Sequence, residues 1–327
     1  MKKPLLDVQN VNASFSIQGR RLHAVRSVSF QLFEGEAIGI VGESGCGKSA
    51  LVQSLLRLVP ASIESGTVLF DGVDLLSLSM AELRKIRGRG IGMVFQDPMT
   101  ALNPTMQIGQ QIQEPLRIHR VADKREAKTR ALELLRLTKV PDPEIRLTQF
   151  PHQLSGGMRQ RVSIAIALAA HPRILIADEP TTALDPTVQA QIIHLLKELR
   201  HELKMSQIII THDIGAVASL CDRVLVMYAG KIVEEGPVDG ILNEPRHPYT
   251  KMLLLSRPSL RSKRGEKLFA IEGSPPSLFS PPAGCPFAAR CPHAMKICES
   301  AFPPVNQNAA CWLYDEKDSD VHAAFTH

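Results

Sequence analysis

Two short stretches decide the fold of this 327-residue chain: Leu154-Ser155-Gly156-Gly157-Met158-Arg159-Gln160 and, upstream, Gly42-Glu43-Ser44-Gly45-Cys46-Gly47-Lys48-Ser49. The upstream stretch follows the G-x4-G-K-S pattern of a phosphate-binding loop (P-loop), with a predicted strand before it and a predicted helix after it. Its glycines let backbone N–H groups point at phosphate oxygens, and the helix N-terminus adds positive charge there. We therefore expect nucleotide binding, with a chance glycine-rich turn as the alternative.

Polar residues at the end of the P-loop and at the end of one strand predict the chemistry of this site. Lys48 can neutralise the β- and γ-phosphates, and the Ser49 hydroxyl can ligate Mg²⁺. The apolar run Ile174 to Ala177 ends in Asp178 and Glu179. We expect Asp178 to hold Mg²⁺ through water and Glu179 to polarise an attacking water molecule. The alternative is that two solvated acids simply end a strand.

The composition is that of an ordinary soluble globular chain, with 44% hydrophobic and 22% charged residues and a net charge of +5. No long block of one charge sign occurs, so nucleic acid is not an expected partner, whereas weak attraction to anionic lipid is compatible with the charge. No segment reaches the ~18 apolar residues of a membrane helix. No apolar run follows Lys2-Lys3, as a signal peptide would need. We expect a cytosolic chain that docks on membrane subunits if it serves a membrane process.

Apolar periodicity predicts an α/β fold. Residues 5–40 alternate in short runs typical of antiparallel strands, and Ala37 to Val41 is a buried strand that leads into the P-loop. From residue 97 to about 154 the pattern is mostly helical, which predicts a helical insert in a nucleotide-binding core. Further strands are expected at 173–177, 207–211 and 224–228, the last followed by an Ala229-Gly230-Lys231 turn.

The composition changes after about residue 245. A basic stretch is interpreted as a solvated linker, with lipid or partner contact as the alternative; it contains Arg257, Arg261, Lys263, Arg264 and Lys267. The segment 284–312 has little periodicity and contains four of the six cysteines: Cys285, Cys291, Cys298 and Cys311. Because a reducing cytosol disfavours disulfides, a bound metal is the simplest way to order this segment.

These motifs together resemble the ATP-binding cassette (ABC) family, in which a signature similar to Leu154–Gln160 lies between a P-loop and an acidic strand. The implied fold is a P-loop NTPase cassette with a RecA-like core, an antiparallel β subdomain and a helical insert at about 97–160. The implied domains are a nucleotide-binding domain at 1–245 and a small irregular C-terminal extension at 246–327, with its Cys-rich segment at 284–312. The implied reaction is hydrolysis of ATP to ADP and phosphate, coupled to solute transport.

The resemblance implies roles for individual residues. Gln96 resembles the Q-loop glutamine that reaches Mg²⁺ and the attacking water, and Asp185 resembles the D-loop aspartate at the dimer interface. His212 resembles the switch histidine that contacts the γ-phosphate. Their ordinary structural alternatives are a strand-end polar residue, a helix cap and a structural histidine. Phe15 matches the aromatic residue that stacks on adenine, with a core phenylalanine as the alternative. The implied ATP-contacting set is Phe15, Gly42, Glu43, Ser44, Gly45, Cys46, Gly47, Lys48, Ser49 and Ala50.

The signature stretch implies a second ATPase subunit. In the family, a helix N-terminus corresponding to Ser155, Gly156, Gly157 and Gln160 faces the γ-phosphate of ATP held by the partner in a head-to-tail dimer. The alternative is that Ser155 caps a helix, which uses the same helix end and is compatible with phosphate contact. Capping alone does not account for the two glycines, which permit close backbone approach.

Cys46 departs from the small Ser, Ala or Gly that is common at its position in the loop. Its neighbours are Lys48 and a helix N-terminus, both of which favour a thiolate. We therefore expect alkylation of Cys46 to block nucleotide binding.

Two segments resemble one subgroup of ABC importers. The start of the C-terminal extension in peptide and nickel importers is similar to Arg246-His247-Pro248-Tyr249-Thr250. Their Q-loop segment is similar to Phe95 to Pro104, and the residues Glu179 to Asp185 are also compatible with this subgroup. The implied function is ATP hydrolysis that powers import of dipeptides or oligopeptides, with nickel or another small solute as alternatives. Other classes remain open: a non-transport ABC ATPase, although its tandem cassette or long coiled-coil insert is not seen, and a metal-cluster sensor regulated by ATP.

The subgroup also implies partners and cofactors. The partners are a paralogous ATPase subunit, two transmembrane permease subunits and an extracytoplasmic substrate-binding protein, with this chain at the cytoplasmic face of the inner membrane. The cofactors are ATP and Mg²⁺, the latter held by Ser49, Gln96 and Asp178. The spacing Cys285-x5-Cys291-x6-Cys298-x12-Cys311 lacks the paired C-x2-C of zinc ribbons. It resembles the spacing associated with a 4Fe-4S cluster in these ATPases; zinc and free thiols are the alternatives.

Overall fold

The computed structural model describes residues 3–182, 184–256 and 270–315. The basic stretch predicted as a linker therefore lies outside the described residues, as does Ala183 of the D-loop segment. The chain divides into two compact units, each assembled from three segments. The first unit comprises Met1–Leu6, Gln31–Ile38 and Leu69–Thr211, and the second comprises Asp7–Phe30, Gly39–Val68 and His212–His327.

Strands and helices alternate along much of the described chain. The strands are β1 (Leu6–Ile17), β2 (Arg20–Leu32), β3 (Ala37–Val41), β4 (Ser62–Phe70), β5 (Val73–Asp74), β6 (Ile91–Val94), β7 (Ile174–Asp178), β8 (Ser206–Ile210), β9 (Arg223–Tyr228), β10 (Lys231–Pro237), β11 (Val305–Asn306) and β12 (Ala309–Ala310). The α-helices are α1 (Lys48–Leu55), α2 (Met80–Ile86), α3 (Pro98–Ala101), α4 (Ile108–Ile118), α5 (Glu126–Leu137), α6 (Pro143–Arg146), α7 (Gly156–Leu168), α8 (Pro186–Leu203), α9 (Ile214–Leu220), α10 (Val238–Asn243), α11 (Pro248–Leu255) and α12 (Lys296–Ser300). Short 3-10 helices lie at Pro151–Gln153, Ala288–Arg290 and Trp312–Tyr314.

Parallel strands form the centre of the first unit, in the order β8-β7-β6. Every residue of β7 and β8 is buried, which explains why the sequence shows continuous apolar runs there rather than alternation. Helices α3 to α7 separate β6 from β7 along the chain, so the predicted helical segment is confirmed. Within it, α7 packs against α4 and α5.

The second unit contains strands in the order β11-β12-β10-β9. Strands β9 and β10 are antiparallel and pair at Tyr228 and Lys231, so Ala229 and Gly230 form a two-residue turn with φ of 45° and 83°. Positive φ at both positions is the requirement of a type I′ hairpin, and the predicted turn is confirmed. Strand β12 pairs with β10 at Ala309 and Glu234, which joins the C-terminal residues to the sheet of this unit.

Three aromatic side chains anchor the core of the second unit. Tyr228 at the end of β9, Tyr249 in α11 and Phe287 near the C-terminus are each 0% exposed. The rings of Tyr228 and Tyr249 lie 4.5 Å apart, and Phe287 lies 5.3 Å from each of them. Such pairs are favourable beyond their buried area, so α11 and the Cys-rich segment are fixed to β9. No helix in the described ranges is long and apolar enough to cross a membrane.

Candidate functional site

The P-loop of the second unit connects β3 to α1 and depends on its glycines. Gly42, Gly45 and Gly47 have φ of 155°, 78° and 106°, which L side chains rarely adopt. A Cβ on Gly42 would lie 2.1 Å from the Met227 carbonyl oxygen, and one on Gly47 would lie 2.2 Å from that of Ala24. The loop therefore packs backbone against backbone at both ends, with the exposed Ser44 and Gly45 between them.

Lys48 lies at the first position of α1 and is 4% exposed. Its Nζ donates hydrogen bonds to the carbonyl oxygens of Gly42 (2.8 Å) and Glu43 (2.9 Å). Cys46 is 5% exposed, and this burial raises its pKa, an effect that nearby Lys48 opposes but does not cancel. The expectation of a thiolate at Cys46 was therefore wrong, because desolvation outweighs the neighbouring positive charge.

Glu43 is held from three sides within the second unit. Its backbone N–H donates to the hydroxyl of Tyr249 at 2.8 Å. Its carboxylate accepts two hydrogen bonds from Arg290, at 2.8 and 3.0 Å, and Arg290 also donates to the hydroxyl of Tyr228 at 3.0 Å. The bonds to Glu43 raise the pKa of the Arg290 guanidinium above its usual value. This contact was not predicted from the sequence, although Tyr249 belongs to the segment 246–250 that resembles the start of the C-terminal extension.

The acidic end of β7 forms the second half of the predicted chemistry, in the first unit. Asp178 is 0% exposed. Glu179 follows with φ of 45°, a strained conformation for a non-glycine residue. Its carboxylate accepts hydrogen bonds from Gln96 Nε2 at 3.1 Å and from the Thr182 hydroxyl at 2.8 Å. The structure thus brings Gln96 and Glu179 together across 83 residues, since β6 and β7 are parallel neighbours. Thr182 was not predicted.

Two other predicted residues lie in the second unit. His212 is exposed and precedes α9, whose N-terminus is capped by the Asp213 side chain through a 2.7 Å bond to the Gly215 amide. Phe15 lies in β1 and is half-buried, so part of its ring is accessible.

The signature stretch begins α7 in the first unit. Exposed Ser155 is the N-cap, and its hydroxyl accepts from the Met158 amide at 3.3 Å, which confirms the capping role. A Cβ on Gly157 would lie 2.6 Å from Val188 Cγ1 of α8. Packing against α8 therefore accounts for this glycine, which capping alone did not explain. The Gln160 side chain is 2% exposed and lies inside the unit.

Asp185 caps helix α8. Its side chain accepts from the amides of Thr187 and Val188, both at 3.1 Å, so the structural alternative for this residue is confirmed. Asp185 is also exposed, so it stays accessible to solvent while it caps α8. Both Ser155 and Asp185 are thus exposed helix caps of the same unit.

The four C-terminal cysteines line one small cavity of about 10 Å³ in the second unit, together with His247. Burial raises the pKa of Cys285 to about 11 and that of Cys311 to about 12, so both thiols are protonated at neutral pH in the absence of a positive charge. None of the four forms a disulfide bond. Within the described residues, no three His, Cys, Asp or Glu side chains are arranged ready to hold a metal ion.

His247 contributes an unpaired polar atom to this cavity. Its Nδ1 accepts a hydrogen bond from the Tyr249 amide at 3.0 Å, so the ring proton lies on Nε2, and this buried atom has no partner. Burial lowers the pKa of His247 to about 3. A buried donor facing four thiols fits an anionic thiolate–metal group, because each buried donor requires an acceptor. The donor types suit a metal, but the described side chains are not arranged to hold one, and the cavity has room for about one water molecule, so it must widen before a metal group can enter.

The P-loop, the acidic strand end and the two capped helices define a P-loop ATPase. The chain belongs to the ABC transporter family of ATP-binding proteins. The ABC transporter family profile matches residues 25–182, and the profile of the oligopeptide/dipeptide transporter C-terminal region matches residues 233–298. Hydrolysis of ATP is accordingly its enzymatic activity.

Relatives match along nearly the whole chain. The dipeptide transport ATP-binding protein DppD of Bacillus subtilis is 52% identical over 321 residues, which is 96% of each chain. The oligopeptide transport ATP-binding protein OppD of the same organism is 54% identical over 304 residues, covering 92% of this chain and 85% of OppD.

Two solved cassettes share the fold. One is the dimeric post-hydrolysis state of the ATP-binding cassette MJ0796 bound to ADP and phosphate, with a TM-score of 0.65 and 32% identity over 71% of this chain and 98% of that one. The other is cbiO1 from Clostridium perfringens, part of the transporter complex cbiONQ, with a TM-score of 0.64 and 32% identity over 74% of this chain and 92% of that one.

Proposed function

We propose that this chain is the ATPase subunit that powers import of dipeptides or oligopeptides through a membrane ABC transporter. The observation that carries the proposal is the match to DppD over 96% of both chains, because it includes the C-terminal extension as well as the cassette. The chain acts at the cytoplasmic face of the membrane, with a paralogous ATPase, two permease subunits and an extracytoplasmic binding protein as its partners.

ATP binding is assigned to the P-loop of the second unit. The α1 N-terminus and the loop amides bind phosphate oxygens, and Lys48 exchanges its carbonyl partners for the β- and γ-phosphates. Phe15 stacks on adenine. The Ser49 hydroxyl would ligate Mg²⁺, and Asp178 and Gln96 stay the other proposed Mg²⁺ ligands; the ion would neutralise phosphate charge. The His212 side chain contacts the γ-phosphate.

Hydrolysis is assigned to Glu179 as the residue that polarises the attacking water. Support comes from the hydrogen bonds that Gln96 and Thr182 donate to Oε2, because they fix the position of the carboxylate. The left-handed backbone of Glu179 adds to this, because strain of this kind is held in place only where the surroundings determine it. Gln96 is proposed to transmit the nucleotide state to the helical segment that directly follows it in the chain.

The signature helix is assigned to the ATP of the partner subunit. Exposed Ser155 and the half-buried Gly156 and Gly157 begin α7, a helix of 13 residues whose N-terminus attracts anions. Asp185 is exposed beside the start of α8 and meets the partner across the dimer interface. The buried side chain of Gln160 supports the helix from inside rather than touching the partner's nucleotide.

A groove in the helical segment of the first unit is assigned to the permease subunits. It has a volume of about 670 Å³ and is lined by Met106, Gln110, Gln113, Glu114, Arg117 and Ile118. Ile118 is 67% exposed, and nearby in sequence Met99 is 58% exposed, so apolar surface is available for a partner. The Q-loop residue Gln96 directly precedes this helical segment.

The C-terminal thiols are assigned to a metal centre held by Cys285, Cys291, Cys298 and Cys311, with a 4Fe-4S cluster as its content. When bound, such a cluster would supply the positive charge that the buried thiols need to ionise, and its four cysteine ligands would then help to order the segment. A structural role is proposed, without a redox step. Anaerobically purified protein should contain equal amounts of iron and acid-labile sulfide; stoichiometric zinc without sulfide would contradict the cluster and leave the four-cysteine site.

Co-purification and transport test the proposed function. Expressed with its neighbouring genes and extracted in detergent, the chain should be recovered with two membrane subunits, and the complex should take up radiolabelled dipeptide into vesicles when ATP is supplied on the side of this chain. Nickel uptake without peptide uptake would identify nickel, rather than a peptide, as the transported solute. ATPase activity with no membrane subunit recovered would contradict a role in transport.

A further inference from the structure

We propose that the C-terminal extension is a working part of the nucleotide site, and that Arg290 positions the start of the P-loop through Glu43. The two residues are 247 positions apart in sequence and belong to the same unit. Arg290 is assigned no contact with the reacting atoms of ATP hydrolysis, so it is a positioning residue. Neither the P-loop motif nor the transport activity assigns it a role.

The guanidinium of Arg290 uses its full set of donors. Nη1 bonds to Glu43 Oε2 and to the Tyr228 hydroxyl, Nη2 bonds to Glu43 Oε1 and the Ile271 carbonyl, and Nε bonds to the Glu272 carbonyl. All five distances lie between 2.8 and 3.0 Å. Since arginine has five N–H donors in a rigid fork, the side chain is held in one geometry. The Arg290 side chain is 5% exposed and that of Glu43 is 25% exposed, so the pair is partly shielded from water.

Glu43 connects the fixed side chain of Arg290 to the backbone of the P-loop. Its carboxylate bonds to Arg290, its amide bonds to Tyr249, and its carbonyl accepts from Lys48 at 2.9 Å. The residue directly follows Gly42, where the chain leaves β3 with φ of 155°. Every polar group of Glu43 is therefore engaged, and the loop conformation is held at the position from which Lys48 must reach the phosphates. Pre-organisation of this kind reduces the entropy lost on binding.

Loss of Arg290 should consequently weaken ATP binding while leaving the chemical step nearly intact. The water-polarising group Glu179 and the metal-binding hydroxyl of Ser49 are unchanged by the substitution. The effect should thus appear in the KM for ATP and the equilibrium Kd, with kcat retained. A contact that merely attached the extension would instead affect thermal stability and leave both KM and Kd unchanged.

A matched control variant separates these roles. The hydroxyl of Tyr314 donates to the carbonyl oxygen of Arg246 at 3.0 Å, which also ties the C-terminal residues to the start of the extension, but it has no contact with Glu43. Tyr314→Phe therefore removes one attachment of the extension without touching the P-loop. Glu43→Gln removes the ion pair from the loop side.

The experiment measures Kd for a fluorescent ATP analogue and steady-state ATPase kinetics for the full-length chain in its transporter complex. Arg290→Ala should weaken binding about ten-fold, equal to about 1.4 kcal/mol, with kcat within about two-fold of wild type. Glu43→Gln should weaken binding to a similar extent. Arg290→Lys should lie between them and wild type, since lysine keeps the charge but lacks the fork. Tyr314→Phe should bind ATP like wild type.

The double variant Arg290→Ala/Glu43→Gln decides whether Glu43 carries the effect. Its Kd should equal that of either single variant, because both remove the same interaction. Additive losses, or unchanged Kd in folded Arg290→Lys and Glu43→Gln, would overturn the proposal. If Arg290→Ala does not fold, the Kd values of Arg290→Lys and Glu43→Gln test the proposal in its place. A drop in kcat with unchanged KM would also overturn it.

Discussion

Replacement of Glu179 by glutamine isolates the step assigned to its carboxylate. The backbone φ of 45° is equally strained for Glu and Gln, so the substitution adds no conformational cost. The amide oxygen of glutamine still accepts from Gln96 and Thr182, with charge-assisted bonds replaced by neutral ones, a ground-state loss of about 1 kcal/mol. Nucleotide affinity should therefore stay near that of wild type, and Tm should fall by about 2–4 °C or less.

Hydrolysis should respond very differently from binding. Glutamine cannot take a proton from water, and positioned general bases contribute about 10²- to 10⁴-fold in rate, or about 2.7–5.4 kcal/mol. The control Thr182→Val keeps the carboxylate and removes one hydrogen bond to it, so the kcat of this variant should fall about ten-fold or less. The assays are single-turnover phosphate release and ATP-analogue binding on the assembled complex. Turnover of Glu179→Gln within about ten-fold of wild type would refute the assigned role, as would a larger loss in Thr182→Val than in Glu179→Gln.

Three further variants or modifications test other parts of the account. Ser155→Arg should cripple hydrolysis at the partner's site while leaving this chain's ATP affinity nearly intact; Ser155→Ala, which loses only the cap and about 0.5–2 kcal/mol of stability, is its control. Gly157→Ala should destabilise the fold by about 1–3 kcal/mol in denaturant titration, because its Cβ would meet Val188 at 2.6 Å, and adding Val188→Ala should restore stability. Cys46 should react with iodoacetamide at pH 8 more slowly than an unstructured cysteine peptide, because burial raises its pKa; site-resolved mass spectrometry showing faster reaction would contradict this.

Local patterns were enough to predict the elements that carry the ATP site. The P-loop, β3 and the hairpin turn at Ala229 and Gly230 follow from glycine placement and from short apolar runs, which are properties of neighbouring residues. Helix caps at Ser155 and Asp185 were predicted as alternatives for the same reason.

Contacts between distant segments could not be predicted in this way. The Arg290–Glu43 pair spans 247 residues, and nothing beside either residue in the sequence indicates the other. The packing of Gly157 against Val188 likewise depends on how α7 meets α8. For Cys46 the sequence showed a nearby lysine but not the depth of burial, and burial decides its protonation. The missed interactions are therefore tertiary.

ATP-driven peptide uptake tests the central claim most directly. The complete transporter is reconstituted in vesicles with ATP on the side of this chain, and uptake of a radiolabelled dipeptide is compared between wild type and Glu179→Gln in this subunit. We predict uptake that requires ATP and falls at least about 100-fold with the variant, while ATP-analogue binding persists. Peptide uptake that continues at the wild-type rate with Glu179→Gln, or does not depend on ATP, would contradict the claim that this chain powers import.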